Sequence, residues 1–364
     1  MNLSDIETPA LVIDFDQLHH NINHMAQLCR EAGVALRPHI KTHKIPEIAK
    51  MQREAGATGI TCAKLGEAEV MVDAGFEDVL IAFPIVGSEK LRRLNALRER
   101  ARVIVSLDSI EVARGLASTA RRSREPLEIY VEVDVGQHRT GQVPGLPTAQ
   151  LVYDVATLHD VRVVGLMAHA GHAYREREPS QRKLLVRREL EELLDTQRKC
   201  AELGVAVETL SVGSTPSVEF EMAERGVNEV RPGTYAFNDT KMIQLGVATE
   251  ETCSAHVVTT VVSRPSAERF VVDAGSKCLS SDGVGEPGWI RVAGRGDLSM
   301  DFLSEEHGVG SIDLARGGHL AIGDRLRLIP SHVCPVFNLF ESVCAIRNEL
   351  VVETFRVAAR GRVR

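Results

Sequence analysis

From the N-terminus to about residue 240, short apolar runs alternate with longer amphipathic, charge-rich stretches. The runs VALRPHIK (34–41), GITCA (59–63), DVLIAF (78–83), RVIVSL (102–107), LEIYVEVD (127–134), VRVVGLMAHA (161–170), VETLSVG (207–213) and NEVRPG (228–233) read as strands. Stretches such as IPEIAKMQREAG, LGEAEVMVDAG and QRKLLVRRELEELLDTQRKCAELG between them read as amphipathic helices. Alternating β and α units predict a parallel sheet with right-handed crossovers. Eight such units make a (β/α)8 barrel the leading expectation. A doubly wound open sheet is the alternative, but no GxGxxG follows a strand.

The rhythm changes after about residue 245. HVVTTVVSR (256–264), RFVVDAG (269–275), GWIRVAG (288–294), DRLRLIPSHVC (324–334), SVCAIR (342–347) and ELVVETFRVAA (349–359) are strand-like and joined by Gly-rich turns, with no good helix among them. The chain is therefore expected to be an α/β protein, with an N-terminal TIM-type (β/α)8 barrel over 1–245 and a C-terminal antiparallel β domain over 246–364.

Composition narrows the function. The net charge is −7, with basic residues scattered, so neither nucleic acid nor a membrane surface is expected as a partner. Aromatics are 4%, too few for base-stacking platforms. The acidic start MNLSDIETPALVIDFD lacks a basic leader, and no run approaches the ~18 apolar residues of a membrane span, so a cytoplasmic location is expected. Seven widely spaced cysteines fit reduced thiols better than a disulfide framework.

In a barrel, catalytic groups sit just past the C-terminal ends of the strands. Those positions hold Lys41 and His43, Lys64, Asp108, Asp134 with His138 and Arg139, His169 and His172, Ser214 and Thr215, and Tyr235. RPHIKTHK (37–44) raises two readings. Lys41 is an amine whose pKa burial and neighbouring cations lower, ready for a Schiff base, or the stretch is a basic rim that attracts anions. VGSTPSVEFE (212–221) runs from a strand through a small-residue turn toward a helix, a cradle for a phosphate or an ordinary capped turn. RPGTYAFND, after the next strand, adds the Tyr235 hydroxyl, and two adjacent strand ends favour the phosphate. In PSHVCPVFN (330–338), His332 and Cys334 share one face if the segment is a strand, and imidazole with thiolate suits Zn²⁺. Two ligands suggest an open, catalytic metal position. EVDVGQHRTG (132–141) and GLMAHAGHAY (165–174) add Arg139, His169 and His172.

TPALVIDFDQL, RPHIKTHK, KLGEAEVMVDAG, EVDVGQHRTG, GLMAHAGHAY, VGSTPS, RPGTYAFND and PSHVC occur in this order along nearly the whole chain. The set resembles the D-threonine aldolase/D-serine dehydratase group of pyridoxal-phosphate (PLP) enzymes, which shares the fold of alanine racemase. The resemblance implies Lys41 as the Schiff-base lysine, and Gly213, Ser214, Thr215 and Tyr235 as phosphate ligands. Arg139 matches the arginine of a GxxRxG stretch near the PLP phenolic oxygen, and His169 would lie against the ring or the reacting carbon. His332 and Cys334 match a metal pair that binds the substrate's β-hydroxyl, for Zn or Mn, with Mg or Co as further options. Some aldolases place an Asp at the second ligand, so Cys334 is nearer the zinc pattern of the dehydratases. A homodimer, with one subunit's barrel meeting its partner's β domain, is also implied.

The substrate implied is a small D-β-hydroxy-α-amino acid. Retro-aldol cleavage gives glycine and an aldehyde; dehydration gives a 2-oxo acid and ammonia. The PVFNLF and RPGTYAFND stretches favour the aldolase, with D-threonine or D-3-hydroxyaspartate as substrate. Arg37, Lys44 and Lys64 are expected to form a basic cluster for an acidic side chain, and His169 or His172 to serve as the base. A racemase is disfavoured because the tyrosines are 130, 153, 174 and 235, leaving none in the C-terminal domain. A non-catalytic PLP carrier is disfavoured by the residues beyond the barrel.

Overall fold

Runs such as Arg102–Leu107 and Leu127–Val133 bury nearly every side chain, whichever face it points to. That is the pattern of parallel strands covered on both sides. In the computed structural model, which describes residues 1–120, 125–286 and 288–364, these strands belong to a barrel. Residue contacts divide the chain into two units. One is built from His24–Lys41, Ile48–Gly233 and Gly361–Arg364, the other from Met1–Asn23, Thr42–Glu47 and Thr234–Arg360.

The first unit holds eight parallel strands in the order Ala35–Leu36, Glu229–Val230, Thr209–Val212, Val161–Ala168, Leu127–Val133, Arg102–Leu107, Asp78–Ile81 and Ile60–Cys62. A parallel bridge between His39 and Thr61, with Thr58 N–H to Leu36 O (2.9 Å) and Thr61 N–H to Pro38 O (2.8 Å), joins the two ends and closes the barrel. All eight expected strands are present. Helices such as Pro46–Glu54, Leu65–Asp73, Ile110–Ala120 and Pro179–Glu202 separate them.

A polar column runs through the apolar barrel interior. Buried Arg37 reaches Glu229 through Nε (2.7 Å) and Asp78 through Nη1 (2.5 Å). Burial works against its charge, but the two carboxylates more than compensate and hold the guanidinium above its ordinary pKa. Ser211 Oγ donates to Glu229 (2.5 Å), and Arg231 in turn donates to Ser211 Oγ. Asp78 opens its strand, so Arg37 faces the N-terminal end of the barrel. Lys41 follows its strand's C-terminal end, and Arg37 therefore does not join a basic cluster around it.

The second unit is organised on a nine-stranded sheet. Its main path runs Leu298–Leu303, Gly308–Ile312, Arg269–Val272, Ala255–Ser263, Ala10–Asp14, Ser342–Arg347 and Leu350–Arg356, with Arg325–Ile329 joining Ala255–Ser263 to Arg291–Val292. Pairing is antiparallel except between Ala10–Asp14 and Ser342–Arg347. Asn348 and Glu349, both at positive φ (49° and 63°), make the two-residue turn of the last hairpin. The segment DRLRLIPSHVC is not one strand. The strand stops at Ile329, and Val333–Leu339 is a helix with His332 at its N-cap. Pro335 explains the change: a residue without an N–H is tolerated in a helix's first turn but interrupts a ladder. Among the described residues, no helix is long and apolar enough to cross a membrane.

Candidate active site

In the barrel unit, Lys41 leaves its strand through the short 3-10 turn Ile40–Thr42, and its backbone N–H approaches His39 Nδ1 (3.5 Å). Lys41, His39 and His169 are half-buried. His39 and His169 both lie well below the ordinary histidine range. Burial is the first cause in each case, followed by the charge of Lys41 and then those of Arg231 and Arg139. A hydrogen bond to the Gly213 backbone opposes the shift at His169. Three cations thus act on two imidazoles that stay neutral. Such a set fits a doubly charged phosphate ester beside an amine.

The turn after the Thr209–Val212 strand has room for that group because Gly213 stands at φ 110°. A Cβ there would come within 3.0 Å of the Arg231 backbone nitrogen and 3.2 Å of Glu221 Oε2. Ser214 and Thr215 are buried. The Ser214 carbonyl accepts from Ser217 N–H (3.1 Å) and Val218 N–H (2.9 Å), starting the helix Val218–Met222, while its hydroxyl lies 2.7 Å from Ser217 Oγ. Lys41, Arg139, Gly213, Ser214 and Thr215 carry an amine, a charge and donors of the kinds that PLP requires, so their chemistry fits the cofactor, which they would hold from the barrel unit.

Behind this turn, Glu189 and Glu221 are both buried. Burial raises Glu221 to about 7, against the pull of Ser217 and Arg231. Glu189 is raised by burial and by Glu221. A carboxyl raised on folding contributes stability that is complete below its unfolded pKa and lost as pH rises through the folded one. The denaturant midpoint should therefore fall between about pH 4.5 and 7, and Glu221→Gln should flatten that slope; an unchanged slope would count against a protonated pair.

Arg139, half exposed, lies 3.6 Å from buried Glu132. Burial lowers the pKa of His172, and the charges that act on it most are those of Asp134, Glu192, His138 and Arg188. His138 is exposed and bonded to Asp134 (2.7 Å), and Asp108 accepts the Gly141 N–H (3.0 Å). Lys64 stacks over the Phe83 ring at 3.5 Å. Arg231 was missed by sequence reasoning. It heads RPGTYAFND, read there for its tyrosine hydroxyl, and it is buried with Nη2 on Ala168 O (2.7 Å).

In the other unit, Tyr235 is buried in the 3-10 turn Thr234–Ala236. Lys44 donates to Asn338 Oδ1 (2.9 Å), and buried His43 accepts the Ile45 N–H (3.0 Å) with its ring 5.9 Å from Phe237. Within the barrel unit, Arg37 is taken up by Glu229 and Asp78 while Lys64 lies over Phe83, so these two members of the expected basic cluster of Arg37, Lys44 and Lys64 have separate partners. His332 and Cys334 are brought together at a helix start instead of on a strand face. His332 Nδ1 lies 2.7 Å from Asp282 Oδ2. Burial opposes the charge on its ring, but Cys334, Asp239 and Asp282 push its pKa up to about 10. Cys334 Sγ donates to Thr42 Oγ1 (3.3 Å). Among the described residues, no group of three or more His, Cys, Asp or Glu gathers as a metal cage. The pair fits a divalent ion that keeps open coordination positions, not a closed structural site.

Comparison with known proteins bears on both units. The model of the alanine racemase N-terminal domain matches residues 13–241, and that of a putative serine dehydratase domain matches 254–346. The chain is 32% identical to a D-threonine aldolase of Arthrobacter sp, covering 99% of this chain and 94% of that one. It is 31% identical to a D-threo-3-hydroxyaspartate dehydratase of Delftia sp. (strain HT23), covering 97% of each. The structure matches a D-threonine aldolase from Filomicrobium marinum with TM-score 0.94 and 34% identity, over 100% of this chain and 98% of that one. It matches a cysteine-to-alanine variant of a D-threo-3-hydroxyaspartate dehydratase, solved in a metal-free form, with TM-score 0.88 and 31% identity over 98% of each.

Proposed function

Since the chain belongs to the D-threonine aldolase/D-serine dehydratase family of PLP enzymes with the alanine racemase fold, we propose that it is a metal-dependent aldolase of D-β-hydroxy-α-amino acids. It would cleave Cα–Cβ of D-threonine or D-3-hydroxyaspartate to give glycine and an aldehyde. The observation that carries this reading is the setting of His169, kept neutral by burial and by the charges of Lys41, Arg139 and Arg231. A neutral imidazole accepts a proton at physiological pH, and retro-aldol cleavage needs a base for the β-hydroxyl proton. The TM-score of 0.94 to a D-threonine aldolase supports the same choice.

Bound PLP supplies the electron sink for the pair released at Cα. Lys41 offers the amine for its covalent attachment, and Gly213, Ser214 and Thr215 are assigned to its phosphate. Arg139 and Arg231 balance its negative charge. His332 and Cys334 are assigned to a divalent ion, whose Lewis acidity would loosen the β-hydroxyl proton. The His169 ring nitrogen takes that proton; His172, facing Asp134 and Glu192, is given no proton to move.

A second reading, a dehydratase, is favoured by Cys334. In that path Lys41 removes the Cα proton and the β-hydroxyl departs, giving a 2-oxo acid and ammonia. A dehydratase with this cysteine-to-alanine replacement was solved in a metal-free form, which supports a thiolate ligand there. Incubation with D-threonine, D-serine and D-3-hydroxyaspartate separates the two. Glycine is expected to accumulate; ammonia with a 2-oxo acid would overturn the aldolase in favour of the dehydratase.

A further inference from the structure

The main chain that presents His332 is tied down within its own unit. Asp239, buried at the N-cap of helix Thr240–Gln244, accepts the Met242 N–H through Oδ1 (3.0 Å) and the Val333 N–H through Oδ2 (3.0 Å). Thr240 N–H and Lys241 N–H donate to the carbonyls of Pro330 (3.0 Å) and Ser331 (3.2 Å). These bonds fix the backbone on both sides of His332 and leave two freedoms of its side chain unsettled. The ring, 42% exposed, can rotate and can carry its neutral-state proton on either nitrogen.

Asp282 resolves both ambiguities, since its Oδ2 lies 2.7 Å from Nδ1. Its own position is built into the turn. The Asp282 N–H donates to Ser280 Oγ (3.2 Å), and Lys241 reaches Glu286 (3.4 Å) beyond it. Gly283, at φ 78°, packs against Ser331 so closely that an added Cβ would lie 2.2 Å from Ser331 Oγ. The turn bearing Asp282 is therefore pressed, at Gly283, onto the side chain of Ser331, the residue preceding His332.

We propose that Asp282 is a positioning residue for the metal, accepting Nδ1–H of His332 so that the Nε2 lone pair is left for the ion. The inference rests on the assignment of His332 and Cys334 as the metal pair and adds the carboxylate that orients it. A carboxylate on the distal nitrogen selects one tautomer, fixes the ring plane and makes the ligating nitrogen more basic; its loss typically costs 10–100-fold in metal affinity. Asp282 is half exposed, so its replacement does not disturb a packed core.

The test compares PLP-loaded wild type, His332→Ala, Asp282→Ala and Asp282→Asn, each stripped and titrated with Zn²⁺ or Mn²⁺ against a competing chelator. Bound metal is counted by mass spectrometry and folding is checked by the melting temperature without metal. Asp282→Ala is expected to bind about 10–100-fold more weakly than wild type with an unchanged melting temperature. Asp282→Asn, which keeps an acceptor oxygen, should fall between them. Wild-type affinity in Asp282→Ala, with binding lost in His332→Ala, would reduce Asp282 to a surface ion pair and overturn the proposal. Complete loss in Asp282→Ala, equal to His332→Ala, would make Asp282 a ligand and overturn it as well. If His332→Ala binds as wild type does, the metal pair itself is wrong and the proposal falls with it.

Discussion

A Lys41→Ala protein is expected to fold, to hold PLP only reversibly, and to lack the visible absorption band of lysine-bound cofactor. Turnover should drop by roughly a thousandfold or more, since the covalent path requires that amine. Three observations select Lys41. It sits in the turn that follows the first barrel strand, its charge acts on both His39 and His169, and those imidazoles also feel Arg139 and Arg231. Replacement of a half-buried side chain in a short turn leaves the barrel's strand ladder intact, so loss of the band can be separated from loss of fold. An unchanged spectrum would place the covalent bond elsewhere. Lys64, past the neighbouring strand Ile60–Cys62 and stacked on Phe83, would then be the next residue to test.

Loss of the metal pair is expected to have the second-largest effect. His332→Ala, or exhaustive chelation of wild type, should lower kcat by about 10²–10⁴, the equivalent of the several kcal/mol that a Lewis acid supplies to a developing alkoxide. Because Lys41, the residue proposed to attach PLP, belongs to the other unit, the visible band should survive. Adding Zn²⁺ or Mn²⁺ back should restore the chelated wild type and not the variant. Turnover that persists after the metal is shown to be gone would remove the ion from the mechanism.

The barrel was legible because each of its strands is a short apolar run buried on both faces, a signal that needs no knowledge of its partners. The strand Ala10–Asp14 was not. Its partners begin at Ala255 and Ser342, and nothing within its five residues marks the pairing. In the site, contiguity misled. RPHIKTHK places its basic residues side by side, yet Arg37 turns to Asp78 and Glu229 and Lys44 to Asn338, leaving Lys41 with His39. His332 and Cys334 were found by residue type, although the strand geometry that suggested they meet is a helix N-terminus. Arg231 was overlooked because its motif carried a simpler explanation.

The central place of Ala10–Asp14 also has a consequence in time. It is synthesised well before its partners and cannot pair until Ala255–Ser263 and then Ser342–Arg347 emerge. At 5–20 residues per second, the wait is about 12–50 s for the first partner and about 17–66 s for the second. All eight barrel strands are synthesised within that interval. During it, that strand has both edges open, exposed to pairing with other nascent chains. The order of synthesis means that the second sheet is completed after all eight barrel strands have emerged.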